Sequence, residues 1–310
     1  MKNMKIVFLG TPNISAFLLE GMVNAGFNIV GVITQEDKPK GRKMKLTESP
    51  VSKMANKFGL KLFKPHRLNK EHDFLDELDP DLLVTFAYGQ IISTKVLAYS
   101  KLPPLNFHAS LLPKYRGAAP IQYALKDGKK VTGITLMEMV KAMDAGRIFA
   151  QETIDIEPED NYSSMCNKMQ GLALEMAEKY LPLYFDNKLP GVQQDESKVT
   201  YCPSIKKEEE HLDVNLNPVD FTNLVRSLAD VPGGYLNYGD SILKIYETAP
   251  FDLTTDAEVG TIVKAKKKAI VLQVNGGTVQ VKRIQKPGKR IMTAADFNNG
   301  MHDFEGASLK

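Results

Sequence analysis

The sequence has no tryptophan, only two cysteines and only five histidines among its 310 residues. Cys166 and Cys202 fit no CxxC spacing. That excludes a disulfide scaffold and a thiolate metal site, and it predicts reduced thiols in a reducing compartment. The histidines form neither HExxH nor HxH, so no metal is expected. The opening MKNMKIVFLG lacks a hydrophobic stretch of signal-peptide length, and runs such as Leu82 to Tyr88 are too short to cross a bilayer. The expectation is a cytoplasmic protein with no membrane partner. No apolar seam stands out, so a monomer is expected.

A large excess of charge is also missing. The formal net charge is +3, and 43% apolar with 25% charged residues excludes a disordered or collagen-like chain. The length predicts two domains at about 150 residues each. What stands out is how the basic residues are distributed. Between Val259 and Ile291 there are nine (Lys264, Lys266, Lys267, Lys268, Lys282, Arg283, Lys286, Lys289, Arg290) and no acidic residue. From Lys38 to Thr47 there are five (Lys38, Lys40, Arg42, Lys43, Lys45), again with no acidic residue. Two such patches on a nearly neutral chain point to a polyanionic partner; taken singly, each also reads as a solvated face.

Apolar runs at Met4–Gly10, Ile29–Thr34, Lys61–Phe63, Leu82–Phe86 and Leu105–His108 alternate with helical patterns. This predicts a Rossmann-like, mostly parallel, doubly wound α/β sheet. Ser49-Pro50 reads as an N-cap with proline at the first helical position. A long amphipathic helix over 163–184 should close this domain. Beyond residue 205, short β-type runs separated by Gly-Gly and Pro-Gly turns predict a small OB-like β-barrel. The boundaries read from the chain are 1–188 for a catalytic domain, 189–205 for a linker and 206–310 for the barrel.

Gly10-Thr11-Pro12-Asn13-Ile14-Ser15 is not GxGxxG, so the usual dinucleotide fingerprint is absent. The segment Leu105-Asn106-Phe107-His108 is more informative. Alternation puts Asn106 and His108 on one side of the strand, at its carboxyl end, where doubly wound sheets place ligands. An amide donor beside an imidazole suits acyl or formyl transfer, since one holds a developing oxyanion and the other moves a proton. The same two residues also serve as strand-end caps, and the residues alone leave both readings open. Asp144, just before Gly146, is a turn former unless its loop folds back on His108, where a carboxylate orients an imidazole.

Asn106-Phe107-His108, Ser110-Leu111-Leu112-Pro113, Arg116-Gly117-Ala118-Ala119-Pro120 and Asp144-Ala145-Gly146 together resemble the signature of folate-dependent formyltransferases. Ile6–Pro12, Lys38–Arg42, Ala87-Tyr88-Gly89-Gln90 and Met292–Phe297 are similar to the branch acting on aminoacylated tRNA. The resemblance runs essentially the whole chain. Tyr115 and Pro232-Gly233-Gly234-Tyr235 depart from it, standing where the family often has tryptophan.

The resemblance implies the formyltransferase fold. It also implies transfer of the formyl group of 10-formyltetrahydrofolate to the α-amino group of methionine on initiator methionyl-tRNA. Asn106, His108 and Asp144 would be catalytic. Ser110, Leu111, Leu112, Pro113 and Val140 would form folate-binding walls, and Tyr88 and Gln90 would line the pocket. Lys38, Lys40, Arg42 and Lys43 would meet the tRNA acceptor end. Lys266, Lys267, Lys268, Lys282, Arg283, Lys286, Lys289 and Arg290 would hold its backbone. Two alternatives remain. A formyltransferase acting on an amino-sugar nucleotide would need no long basic barrel. A non-catalytic RNA-binding protein on this scaffold would lack at least one of Asn106, His108 and Asp144, and all three are present.

Overall fold

The computed structural model describes residues 3–40, 44–301 and 303–310. In chain order it contains β1 (Ile6–Gly10), α1 (Asn13–Asn24), β2 (Ile29–Ile33), β3 (Lys38–Lys40), β4 (Lys45–Thr47), α2 (Pro50–Lys57), β5 (Leu62–Phe63) and α3 (Phe74–Leu78). These are followed by β6 (Leu82–Phe86), α4 (Thr94–Leu97), β7 (Leu105–His108), β8 (Arg116–Gly117), α5 (Pro120–Lys126), β9 (Val131–Glu138), β10 (Ile148–Asp155), α6 (Tyr162–Phe185) and β11 (Tyr201–Cys202). The chain ends with α7 (Pro218–Leu228), β12 (Gly234–Tyr238), β13 (Ser241–Phe251), β14 (Ile262–Lys266), β15 (Ala269–Val274), β16 (Gly277–Gln285), β17 (Met292–Thr293) and α8 (Ala294–Asn299).

The chain forms two compact units. The first comprises Met1–Pro120, Val131–Asp155 and Cys166–Cys202; the second comprises Ile121–Lys130, Ile156–Met165 and Pro203–Lys310. These limits differ from a single cut through a linker. Residues Cys166–Cys202 belong to the first unit, and β11 within them pairs in parallel with β8.

The first unit is built on a seven-stranded sheet in the order β10-β9-β7-β6-β1-β2-β5. The five strands from β7 to β5 are parallel, as expected from their near-continuous apolar runs. All five residues of β1 and of β6 are buried. The sheet then turns antiparallel, β9 against β7 and β10 against β9. Gly133 on β9 has no room for a side chain, because a Cβ there would sit 2.1 Å from the Glu152 carbonyl oxygen. Register aligns Gly10 with Phe86 and Thr85 with Asn106, so the carboxyl ends of β1, β6 and β7 share one edge. As the sequence predicts, Ser49 caps α2 by accepting from the Ser52 N–H, with Pro50 at the first helical position.

The second unit is an antiparallel sheet in the order β12-β13-β16-β15-β14, with β17 pairing β16. Its inner face gathers one apolar cluster that includes Leu236, Ile245, Leu272, Val281 and, from α7, Phe221 and Val225. The last residues of the chain close this sheet. Asn237 of β12 donates its N–H to Lys310 O at 2.8 Å. Ile262 of β14 donates to Ala307 O at 2.8 Å, and Leu309 N–H reaches Gly260 O at 2.7 Å. The terminal segment thereby bridges the two edge strands, which removes the open edges of a small sheet. Among the described residues, no helix is long and apolar enough to cross a membrane.

Leu309 is fully buried in this closure. Leu309→Ala is expected to destabilise the protein by about 2–5 kcal/mol, read from urea denaturation. An unchanged midpoint would show that the closing segment contributes nothing to the barrel.

Candidate active site

β7 ends the parallel half of the sheet, and its last residue, His108, is buried. The chain then turns through Ser110–Pro113 and returns as β8. Three hydrogen bonds fix this turn from the sheet beneath. Thr135 Oγ1 donates to Ser110 O at 2.6 Å, Leu112 N–H donates to Thr135 Oγ1 at 3.1 Å, and Gln151 Nε2 donates to Leu112 O at 2.9 Å. The Ser110 hydroxyl is itself used locally, donating to Lys114 O at 2.7 Å.

The turn carries the Tyr115 carbonyl over His108, whose Nε2 lies 2.8 Å from it. A carbonyl oxygen only accepts, so Nε2 carries the hydrogen; the tautomer is assigned from this partner. In the neutral ring Nδ1 is therefore the bare nitrogen, and it faces Asp144 Oδ2 at 3.6 Å. That separation becomes an ion pair when the ring is protonated. The same Tyr115 carbonyl accepts from Cys202 Sγ at 3.1 Å. Burial pushes the Cys202 thiol up to about 11, so it stays a thiol at neutral pH.

Asp144 reaches the site because the loop after β9 folds back across the end of β7. Its Oδ2 accepts the Gly117 N–H at 2.8 Å, and its backbone is left-handed at φ 50°. Gly117, at φ 130°, allows the close approach: a Cβ there would lie 2.5 Å from the Cys202 carbonyl oxygen. Beside it, Arg116 is 3% exposed, with Nη2 2.7 Å from Glu196 Oε1.

Asn106 lies two residues before His108, half-buried on the same side of β7. Its Oδ1 accepts from the Thr85 hydroxyl at 2.7 Å, the closest of that hydroxyl's acceptors. Among the described residues the Asn106 NH2 group has no acceptor, which leaves it as the amide's open donor. Thr85 was not legible as a functional residue, since it sits inside the apolar run LLVTF; only the cross-strand register reveals its partner.

The structure brings Asn106, His108 and Asp144 together. It places the other candidates in varied settings. Leu111 and Pro113 are half-buried and Leu112 is buried. Val140 is 39% exposed on the Asp144 loop, next to Met143 at 60%. Tyr88 is instead a core residue, packed with Val7, Leu9, Leu75 and Val96. Burial raises its phenol pKa, and its hydroxyl has no partner among the described residues. Gln90 is engaged in the chain fold, accepting from Leu68 N–H at 3.1 Å. Among the described residues no group of three or more His, Cys, Asp or Glu stands ready for a metal.

Of the candidate contacts to a polyanion, Arg42 and Lys43 lie outside the described residues, as does the side chain of Lys40. Lys38 stands on the β3–β4 hairpin, with Nζ 2.7 Å from Gln35 Oε1. In the barrel, Lys266 and Lys282 sit at one level on β14 and β16, with β15 between them. Lys267 and Lys268 form the adjoining turn, and Lys289 and Arg290 follow β16. Three of the basic residues face acids: Lys266 with Glu305 at 3.8 Å, Lys282 with Glu247 at 3.5 Å and Arg283 with Asp230 at 3.1 Å. Lys286 lies over the Phe297 ring at 4.7 Å. Lys267, Lys268, Lys289 and Arg290 have no ion-pair partner among the described residues.

Comparison with known proteins bears on this arrangement. Residues 4–179 match the family described as Formyl transferase, and residues 204–302 match its C-terminal domain. A methionyl-tRNA formyltransferase of Lactobacillus johnsonii is 38% identical over 297 residues, covering 95% of both chains. Those of Mycoplasma mycoides and Staphylococcus aureus are 41% and 40% identical, covering 94% and 96% of both chains. The chain belongs to the methionyl-tRNA formyltransferase family. Solved structures agree in fold. HypX from Aquifex aeolicus in complex with tetrahydrofolic acid superposes with a TM-score of 0.67 at 16% identity over 95% of this chain. This chain spans 46% of that protein's length. WlaRD, a sugar 3N-formyl transferase, gives a TM-score of 0.66 at 19% identity, covering 93% of this chain and 99% of that one.

Within this family member, the Gly117–Asp144 bond depends on a residue without a side chain. Gly117→Ala is expected to lower stability by about 1–3 kcal/mol in chemical denaturation. Unchanged stability would contradict the close approach of Gly117 to Cys202.

Proposed function

We propose that this protein transfers the formyl group of 10-formyltetrahydrofolate to the α-amino group of methionine on initiator methionyl-tRNA. The observation that carries the reading is the juxtaposition of an amide donor, a bare imidazole nitrogen and a carboxylate at one sheet edge. The family match supports formyl transfer to methionyl-tRNA, because the relatives are named methionyl-tRNA formyltransferase.

10-Formyltetrahydrofolate supplies the formyl group already activated on a nitrogen, so no metal or phosphate-binding loop is required. The surroundings suit a flat, largely apolar ring system: Val140 and Met143 are exposed on the loop that carries Asp144, and Leu111 and Pro113 are half-buried in the turn that follows His108. With Ser110, Leu112, Tyr88 and Gln90 committed to the turn, the core and the chain fold, the exposed wall residues are the better candidates for direct contact.

The chain's own residues then divide the work. Asn106, its Oδ1 held by Thr85, turns its NH2 toward the oxygen on which negative charge develops. His108 accepts a proton from the attacking amine at Nδ1, because Nε2–H is committed to the Tyr115 carbonyl. Asp144, held by the Gly117 amide, stabilises the imidazolium that results. The nitrogen that loses the formyl group takes back one proton, which returns His108 to its neutral form.

The basic barrel serves the tRNA. Lys267, Lys268, Lys289 and Arg290, which have no acidic partner among the described residues, are the stronger phosphate contacts; Lys266, Lys282 and Arg283 must first leave Glu305, Glu247 and Asp230. Lys286 lends its charge from above Phe297. The hairpin residues Lys38, Lys40, Arg42 and Lys43 are assigned to the acceptor end. Such contacts position the RNA and give binding a steep salt dependence. Cys166 and Cys202 form no disulfide among the described residues, which fits action in the cytoplasm, and the protein is assigned as a monomer.

Formyl transfer measured side by side to charged initiator tRNA, free methionine, glycinamide ribonucleotide and an amino-sugar nucleotide tests this reading. Formylation of the charged tRNA alone is expected. Transfer to a small acceptor with none to tRNA would overturn the acceptor assignment. Asn106→Ala should lower kcat by about 10²–10³-fold, and His108→Ala should abolish turnover. Full activity in His108→Ala would overturn the site.

A further inference from the structure

Gln194 lies in the polar segment that follows α6, 50 residues from Asp144 in sequence, and is 8% exposed. Each of its hydrogen-bonding positions is used. Nε2 donates to Asp144 O at 2.7 Å and to Gly146 O at 2.8 Å. Oε1 accepts from Arg116 Nε at 3.1 Å and Nη2 at 2.8 Å. The amide has only one workable orientation, because carbonyl oxygens require donors and a guanidinium requires an acceptor. It grips the two main-chain carbonyls that bracket Ala145, in a turn whose first residue is left-handed. That turn is also confined from the other side: a Cβ on Gly146 would lie 2.0 Å from Glu138 O. Arg116 anchors the other end of Gln194 and is itself held by Glu196 at 2.7 Å and 3.2 Å. Its neighbour Gly117 supplies the N–H that binds the Asp144 carboxylate. Both attachments of the Asp144 residue, main chain and side chain, thus trace back to the Arg116-Gly117 strand.

We propose that Gln194 is a positioning residue for the reaction. By donating to Asp144 O and Gly146 O it sets the place of the Asp144 carboxylate against His108. The proposal rests on the reading of Asp144 and His108 as catalytic groups. Gln194 reaches no reacting atom itself. A shift of the carboxylate by even an ångström from the imidazole weakens its hold on the protonated ring, and misplacement of that size costs catalysis heavily.

The test is formyl transfer to charged initiator tRNA by full-length Gln194→Ala, Gln194→Glu, Asp144→Asn and the double variant Gln194→Ala/Asp144→Asn, each checked for its thermal melt. Gln194→Ala should lower kcat on the order of 10²-fold with KM for the tRNA little changed. Gln194→Glu keeps the acceptor for Arg116 and nearly the same shape but has no hydrogens to donate, so it should lose as much kcat. In the Asp144→Asn background, Gln194→Ala should cost far less than it does alone, the mark of two residues acting as a unit. Wild-type kcat in Gln194→Glu, or a full additive loss in the double variant, would overturn the proposal. Gln194→Glu alone decides where the double variant turns over too slowly to measure. Wild-type kcat in Asp144→Asn would instead bring down the underlying reading of the carboxylate.

Discussion

The bond from the Gly117 N–H to the Asp144 carboxylate joins two loops that leave the sheet at different strands. One follows β7 and carries the Tyr115 carbonyl over His108; the other follows β9 and carries the acid. That bond fixes the carboxylate beside the imidazole, whose own orientation is set by the Tyr115 carbonyl. The bond requires a residue at 117 with φ 130° and no side chain, because the Cys202 carbonyl packs against that position. It also requires β11 to lie beside β8, which brings Cys202 there. A chemically simple site, one amide and one imidazole on a strand end, therefore depends on a segment 50 or more residues downstream.

This dependence explains which features could be read from residues alone. The parallel half of the sheet was legible because buried strands are written as unbroken apolar runs, as in IVFLG and LLVTF. Asn106 and His108 were legible because alternation along a strand puts them on one side. The closure of the antiparallel barrel was only partly so: turns at Gly276-Gly277 and Pro287-Gly288 announce its hairpins, but nothing local announces that Leu309 completes it.

The residues that escaped sequence reading share a physical trait: their partners are remote. Arg116 looks like a surface base in a loop, yet it is buried, with Glu196 balancing its charge and the Gln194 amide oxygen accepting its N–H groups. Gln194 looks like part of a polar connector flanked by proline and glycine. Thr85 looks like one more β-branched strand residue. Conversely, Tyr88 and Gln90 follow a strand end, which suggested a pocket, but the irregular turn after β6 sends the tyrosine into the core and the glutamine toward Leu68. Position after a strand does not determine direction once regular alternation stops.

The proposed proton transfer turns on which ring nitrogen of His108 carries the lone pair. Long-range ¹H–¹⁵N correlation on histidine-labelled protein at alkaline pH, with the resonance assigned by its loss in His108→Ala, reads the tautomer directly. Protonated Nε2 and bare Nδ1 are predicted, from the Tyr115 carbonyl at 2.8 Å. A proton on Nδ1 in the neutral ring would contradict the account, since the nitrogen beside Asp144 would then have no lone pair to offer the amine.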